Sequence, residues 1–247
     1  MAASEHAPTL RVPIARHFAA FRPAVSSASV GEIAFIGGTG PEGLGLALRF
    51  AAAGERVVIG SRTADRASAV ADQIRATVAG AEAHGCENLE AAARADRVFL
   101  TVPAAALPSF LSSARERLGG KLVVDVVVPV VLRGRVFEIA PLFGAGSAGE
   151  LVQQAVPSAR VVSAFKNLSA ERLKDVGTPL EGDVVVCGND PTARAEVARL
   201  VRTLPQLRAV EADGIVNARY LEAITALLLN LNRRYHAQTS IAVLGLP

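Results

Sequence analysis

Gly38, Gly40 and Gly43 stand in the order Gly-x-Gly-x-x-Gly. They lie between Ile33-Ala34-Phe35-Ile36, an apolar run of strand length, and Leu44-Gly45-Leu46-Ala47-Leu48-Arg49-Phe50, which reads as a helix. Strand, glycine turn and helix in that order are the setting in which this spacing holds the pyrophosphate of a dinucleotide. Gly38 is read as permitting the tight turn out of the strand. Gly40 lets the pyrophosphate approach a backbone that has no Cβ, and Gly43 lets the helix lie close to the sheet. The free N–H groups at the helix start then face the phosphates, and the helix dipole favours their charge. The contact set on this reading is Gly38, Thr39, Gly40, Pro41, Glu42, Gly43 and Leu44.

A second strand, Arg56-Val57-Val58-Ile59-Gly60, follows at the right distance and runs into Ser61-Arg62-Thr63. A site for NAD usually carries an acid here to bond the ribose 2′-OH, and none is present. Ser61 can donate a hydrogen bond to a 2′-phosphate, and Arg62 can offer it a planar, charge-assisted fork. Arg66 lies one helical turn further on and can close over the same group. NADP(H) is therefore expected over NAD(H). The plainer reading of the two arginines is a solvated helix start. A cation there is mildly unfavourable, and a bound anion would offset it.

Ligands of doubly wound sheets sit beyond the carboxyl ends of the strands, where strand order reverses. Three further strand ends are therefore candidates: Thr101-Val102-Pro103, Val128-Pro129 and Ala164-Phe165-Lys166-Asn167-Leu168. The first two would line the nicotinamide side of the cofactor. Lys166, Asn167 and Leu168 would meet the substrate. Lysine is rare just after a buried strand unless something pairs with it. Lys166 is the candidate catalytic group, either stabilising developing negative charge or acting as an acid after burial lowers its proton affinity. The alternative is a stem whose head reaches solvent.

These residues need a scaffold. Strands are expected at 31–36, 56–60, 97–102, 121–127, 160–165, 183–187 and 207–211, with a short one at 82–84. Helices are expected at 43–53, 63–79, 104–118, 147–156, 190–202 and 215–241. Strand and helix alternate, which predicts a mainly parallel sheet. Ser147 and Asp190 are placed to cap helices. About half of the 247 residues are apolar and there is no tryptophan, so the core is built from Ala, Val and Leu, as in sheets covered on both faces. The net charge of +3 is small and the basic residues are scattered, which argues against a nucleic-acid partner. No apolar run reaches membrane-spanning length. Cys86 and Cys187 lie far apart without a Cys-x-x-Cys, and His6, His17, His84 and His236 are dispersed. That pattern predicts neither a disulfide nor a metal site and suits a reducing, cytoplasmic compartment. Residues 1–30 carry Arg11, Arg16 and Arg22 against a single acid, Glu5. They read as a flexible tail, as an arm packed on a neighbouring subunit, or as a transit-like segment. The apolar face of 215–241 either covers the end of the sheet or forms a homodimer contact.

With these segments in view, the chain resembles the NADPH-dependent F420 reductases over about 31–247. The resemblance is carried by Ile36-Gly37-Gly38-Thr39-Gly40, Ile59-Gly60-Ser61-Arg62, Thr101-Val102-Pro103, Val162-Ser163-Ala164, Val186-Cys187-Gly188-Asn189-Asp190, and Ala218-Arg219-Tyr220-Leu221-Glu222 with Leu228-Leu229-Asn230. It implies a Rossmann-type doubly wound sheet at 31–165 and a small, largely helical C-terminal domain at 166–247. A deazaflavin, coenzyme F420, would sit in the cleft between them. It implies NADP contacts at Thr39, Gly40, Ser61, Arg62 and Arg66, and hydride exchange between the two cofactors. Lys166 and Ala106 stand where that family carries histidine, so the nucleotide half matches better than the substrate half. A different acceptor, such as a pterin, a carbonyl or an imine, stays open on the sequence, as does a non-catalytic NADP-binding role.

Overall fold

The computed structural model describes residues 31–142 and 144–246. The readings of residues 1–30 lie outside them. Eight strands form one sheet: β1 (Ile33–Ile36), β2 (Val57–Ser61), β3 (Ala83–Glu87), β4 (Arg97–Leu100), β5 (Leu122–Asp125), β8 (Arg160–Ser163), β9 (Gly182–Gly188) and β10 (Leu207–Glu211). Their order is β10-β9-β8-β5-β4-β1-β2-β3. Every neighbouring pair is parallel except β8 and β9. The mainly parallel expectation therefore holds, with one reversal where the chain passes position 165. The strands of 166–247 continue the same sheet.

Successive strand residues point to opposite faces, and both faces are covered. Ile33 and Phe35 join one core with α1 (Pro41–Ala52), α2 (Ala64–Thr77), α6 (Ala170–Lys174) and α7 (Pro191–Thr203). Ala34 and Ile36 join the other with α3 (Asn88–Arg94), α4 (Leu107–Leu118), α5 (Ala148–Ala155) and the start of α8 (Ala218–Tyr235). Asp190 caps α7 by accepting from the N–H of Thr192 and Ala193, and Ser147 caps α5 by accepting from the N–H of Glu150.

The differences from expectation have local causes. The 104–118 helix begins with a 3-10 turn at Ala104–Ala106 before α4, which has a proline in its first turn. The long last helix likewise opens on a 3-10 turn, Ile215–Asn217, and stops at Tyr235, where His236 takes a left-handed φ of 52°. The apolar run after β5 does not continue the sheet. It turns at Pro129 into an antiparallel hairpin of β6 (Val130–Arg133) and β7 (Val136–Ile139). Gly134 supplies its left-handed φ of 57°. Asn230 of α8 bonds Phe137 in both directions, its Oδ1 accepting from the N–H at 2.8 Å and its Nδ2 donating to the carbonyl at 2.9 Å. The hairpin is thereby tied to the last helix.

Four rings, Phe35, Phe50, Phe99 and Phe165, form the centre of one core, with neighbouring centroids 5.1–6.1 Å apart. Phe165 reaches them from a left-handed backbone, φ 60°. Such a conformation costs a bulky residue about 1–3 kcal/mol, and packing against Phe50 and Phe99 offsets it. Phe165 is 1% exposed, and Phe165→Ala should remove about 3–5 kcal/mol of stability in urea titration. A loss below about 1 kcal/mol would contradict this account of the turn.

Candidate active site

Strand order reverses between β1 and β4, and the site opens beyond their carboxyl ends. The left-handed turn out of β1 falls on Gly37 (φ 80°) and not on Gly38 as the spacing suggested. Gly38 instead donates to the carbonyls of Phe35 and Gly60, both at 3.0 Å. The side chain of Asn88 accepts from the Gly37 N–H at 3.1 Å. This buttress carried no signal in the sequence. A Cβ on Gly43 would lie 2.8 Å from the Gly38 Cα and 2.5 Å from the Thr101 Oγ1, so only glycine lets α1 sit so low. A Cβ on Gly40 would meet only the Gly37 carbonyl, at 3.4 Å, and would otherwise project into the open cleft. No side chain caps α1. Its first N–H groups are left for a ligand, as a pyrophosphate requires.

A cavity of about 860 Å³ lies over this turn. Its lining includes Thr39, Gly40, Pro41, Glu42, Ser61, Arg62, Arg66, Thr101, Val102, Pro103 and Ala106. Gly38 and Gly43 support it from below, and Leu44 packs into the core. Arg62 and Arg66 are exposed and make no hydrogen bond or ion pair among the described residues. The cradle thus combines free amides, an open face at Gly40 and two uncommitted guanidinium groups, which fits NADP(H).

A second cavity of about 430 Å³ is lined by Val126, Val127, Val128, Val130, Lys166, Asn167, Leu168 and residues of α8. Glu42, Thr101 and Val102 belong to both linings. Pro129 lines neither, and its carbonyl accepts from Ala140 at the base of the hairpin. Thr101 is locked by its N–H and its hydroxyl, both donating to the Ile36 carbonyl at 2.9 Å.

Lys166 does not reach solvent. Its side chain is fully buried, with the ammonium 2.7 Å from Asp125 Oδ2 and 3.2 Å from Glu222 Oε1. It also donates to the Val127 carbonyl. Asp125 accepts from Ser163 Oγ at 2.6 Å and from the Val127 N–H at 3.0 Å. Glu222 accepts from the Ala148 N–H at 2.9 Å. The cluster therefore joins β5, the end of β8, α5 and α8. Asn167 is similarly committed, donating to the Leu221 carbonyl and to Thr225 Oγ1. Asp125 carried no site signal in the sequence, and Glu222 stood out only as the last residue of one of the segments that carry the family resemblance.

Burial pushes the Glu222 carboxyl up to about 7, against the opposing pull of Lys166, and Asp125 raises it further. Burial likewise raises Glu42 to about 8 and the Cys187 thiol to about 12. Cys86 and Cys187 are both free.

Sheet order, the bare helix N-terminus at the switch point and the paired arginines define a Rossmann-type dinucleotide-binding protein. The family described as "NADP oxidoreductase coenzyme F420-dependent" matches residues 32–129. The F420-dependent NADP reductase of Methanothermobacter thermautotrophicus is 40% identical over 87% of this chain and 96% of its own. That of Methanocaldococcus jannaschii is 36% identical over 87% and 99%. A crystal structure of a protein from Arthrobacter sp. FB24 superposes with a TM-score of 0.74 at 27% identity, over 86% and 99% of the two chains. The chain belongs to the F420-dependent NADP oxidoreductase family.

A carboxyl whose folded pKa is raised, as that of Glu222 is from 4.5 to about 7, contributes stability at low pH. That contribution is lost as pH rises through the folded value. Relative to Glu222→Gln, the wild type should lose stability in denaturant titrations between about pH 5 and pH 7. A flat difference would contradict the burial assigned to this carboxyl.

Proposed function

We propose that this protein exchanges hydride between NADP(H) in the first cavity and coenzyme F420 in the second. The observation that carries the reading is the wall formed by Glu42, Thr101 and Val102, which both cavities share. Bound side by side, the two cofactors supply the chemistry, with hydride passing between nicotinamide C4 and deazaflavin C5. The protein's task is then to hold two flat rings in register and keep water out.

The N–H groups of α1 and the bare face of Gly40 receive the pyrophosphate. Ser61, Arg62 and Arg66 take the 2′-phosphate, and Thr101, Val102 and Pro103 border the nicotinamide. Val126, Val127 and Val128 give the second cavity an apolar wall suited to a deazaflavin. Lys166 works as a positioning residue, because its ammonium is engaged by Asp125, Glu222 and the Val127 carbonyl. It fixes the Val127–Val128 backbone and α8 around the ring. Leu168 lines the same cavity. We divide the work at position 165, with the nucleotide before it and the deazaflavin held largely by residues after it.

Among the described residues no helix is long and apolar enough to cross a membrane. We place the enzyme in the cytoplasm, where Cys86 and Cys187 stay reduced. Leu132 and Val136 on the hairpin, with Tyr220, Leu227 and Tyr235 on α8, are each between 49% and 66% exposed. We assign this apolar surface of the hairpin and the last helix to a homodimer contact, made chiefly through the C-terminal region. Sedimentation at micromolar concentration should give a dimer, and Leu227→Glu should dissociate it. A monomeric wild type would overturn the assignment.

Mixing the enzyme, NADPH and F420 should bleach the deazaflavin absorbance band in proportion to NADPH oxidised. No change across pH would overturn the reading. Arg62→Ala should weaken NADPH by about 1.5–3 kcal/mol, the range of a charge-assisted hydrogen bond, and leave NADH nearly unaffected. Equal losses for both would remove the 2′-phosphate assignment.

A further inference from the structure

Glu42 is an unexpected residue in a phosphate cradle. It is the second residue of α1, where a carboxylate would compete with the anion that the helix N-terminus attracts. Its Oε1 is inaccessible to solvent and has no hydrogen-bond partner among the described residues. The side chain belongs to both cavity linings, so it stands where the nucleotide passes towards the second cavity.

No cation lies close enough to Glu42 to counter the effect of its burial. On its own helix, Arg49 donates to the carbonyls of Arg172, Leu173 and Asp175. On the far side of the second cavity, Lys166 is held by Asp125 and Glu222. Glu171 of α6 adds an acid to the second lining. The end of β3 adds Glu87 to the first, and Arg62 and Arg66 stand beyond β2. Burial is the sole cause of the raised proton affinity of Glu42, which brings it to about 8.

We propose that Glu42 is a proton-linked contact of the dinucleotide: it meets bound NADP(H) as a neutral carboxylic acid that donates a hydrogen bond, and the protein takes up a proton as the cofactor binds. The inference rests on the reading of the first cavity as the NADP(H) site. No bond of the cofactor is made or broken. A solvent proton adds to the carboxylate, and the charge brought in by the phosphates is offset by one. Near neutral pH the acid already holds its proton and binding takes up little. Above about pH 8 the free protein has lost that proton, and binding must restore it, because nearby phosphates raise the proton affinity of a carboxyl further.

The test is isothermal calorimetry of NADP+ binding to the full chain, in two buffers of different ionisation enthalpy, at pH 7 and pH 9. The 2′-phosphate titrates near pH 6, below this window. For the wild type, proton uptake should be small at pH 7 and approach one at pH 9. Affinity should fall about tenfold across that range by linkage. Glu42→Gln should bind with no such uptake and an unchanged Kd between the two pH values. Zero uptake by the wild type at pH 9, or the same pH dependence in Glu42→Gln, overturns the inference while leaving the NADP(H) site in place. The wild-type proton count stands even where the variant folds poorly. Failure of NADP+ to bind the wild type at either pH overturns the inference and the functional reading together.

Discussion

The site depends on how low the first turn of α1 lies against the ends of β1 and β4. Gly43 leaves no room for a methyl group between this helix, Gly38 and Thr101. Thr101 is in turn doubly bonded to the last carbonyl of β1. That contact points unbonded helix N–H groups into the cleft at the place where strand order reverses. It also sets the reach of everything else. Ser61 and Arg62 leave β2 one strand away, and Asn88 braces the turn from beyond β3. The 2′-phosphate contacts are useful only because the pyrophosphate is placed first.

The second cavity depends on a different device. Asp125, Lys166 and Glu222 are ionisable groups with almost no solvent contact. Burying such charges costs free energy that their attraction returns only in part, so the cluster is weak evidence for stability. What it contributes is placement. One ammonium fixes the end of β5, the turn after β8 and the first half of α8 relative to one another. The left-handed Phe165 just before Lys166 serves the same geometry by sending its ring into the aromatic core and the next side chain the other way.

Much of this was legible in the chain. A fully buried strand such as Ile33–Ile36 is a continuous apolar run, and Asp190 and Ser147 cap helices as their types require. The failures share a cause. β3 has the sequence AHGCE and extends beyond the short strand expected at 82–84. Part of its reason is Gly85, where a Cβ would lie 2.3 Å from the backbone of α2. No element was expected over the stretch that forms the β6–β7 hairpin, because the strand reading stopped at 127, before Pro129. α6 is five residues long and too short to show a period. Lys166 announced that it needed a partner, but Glu222 lies 56 residues away, and nothing local links them. Close backbone approach and long-range charge pairing leave no periodic trace in a sequence.

The most direct test of the central claim is the structure of the NADP+ complex. The account predicts the pyrophosphate on the N–H groups of the first turn of α1, the 2′-phosphate between Arg62 and Arg66, and the nicotinamide beside Thr101 and Val102, facing the second cavity. A 2′-phosphate turned into solvent, or a nicotinamide directed away from the valine-lined cavity, would contradict it.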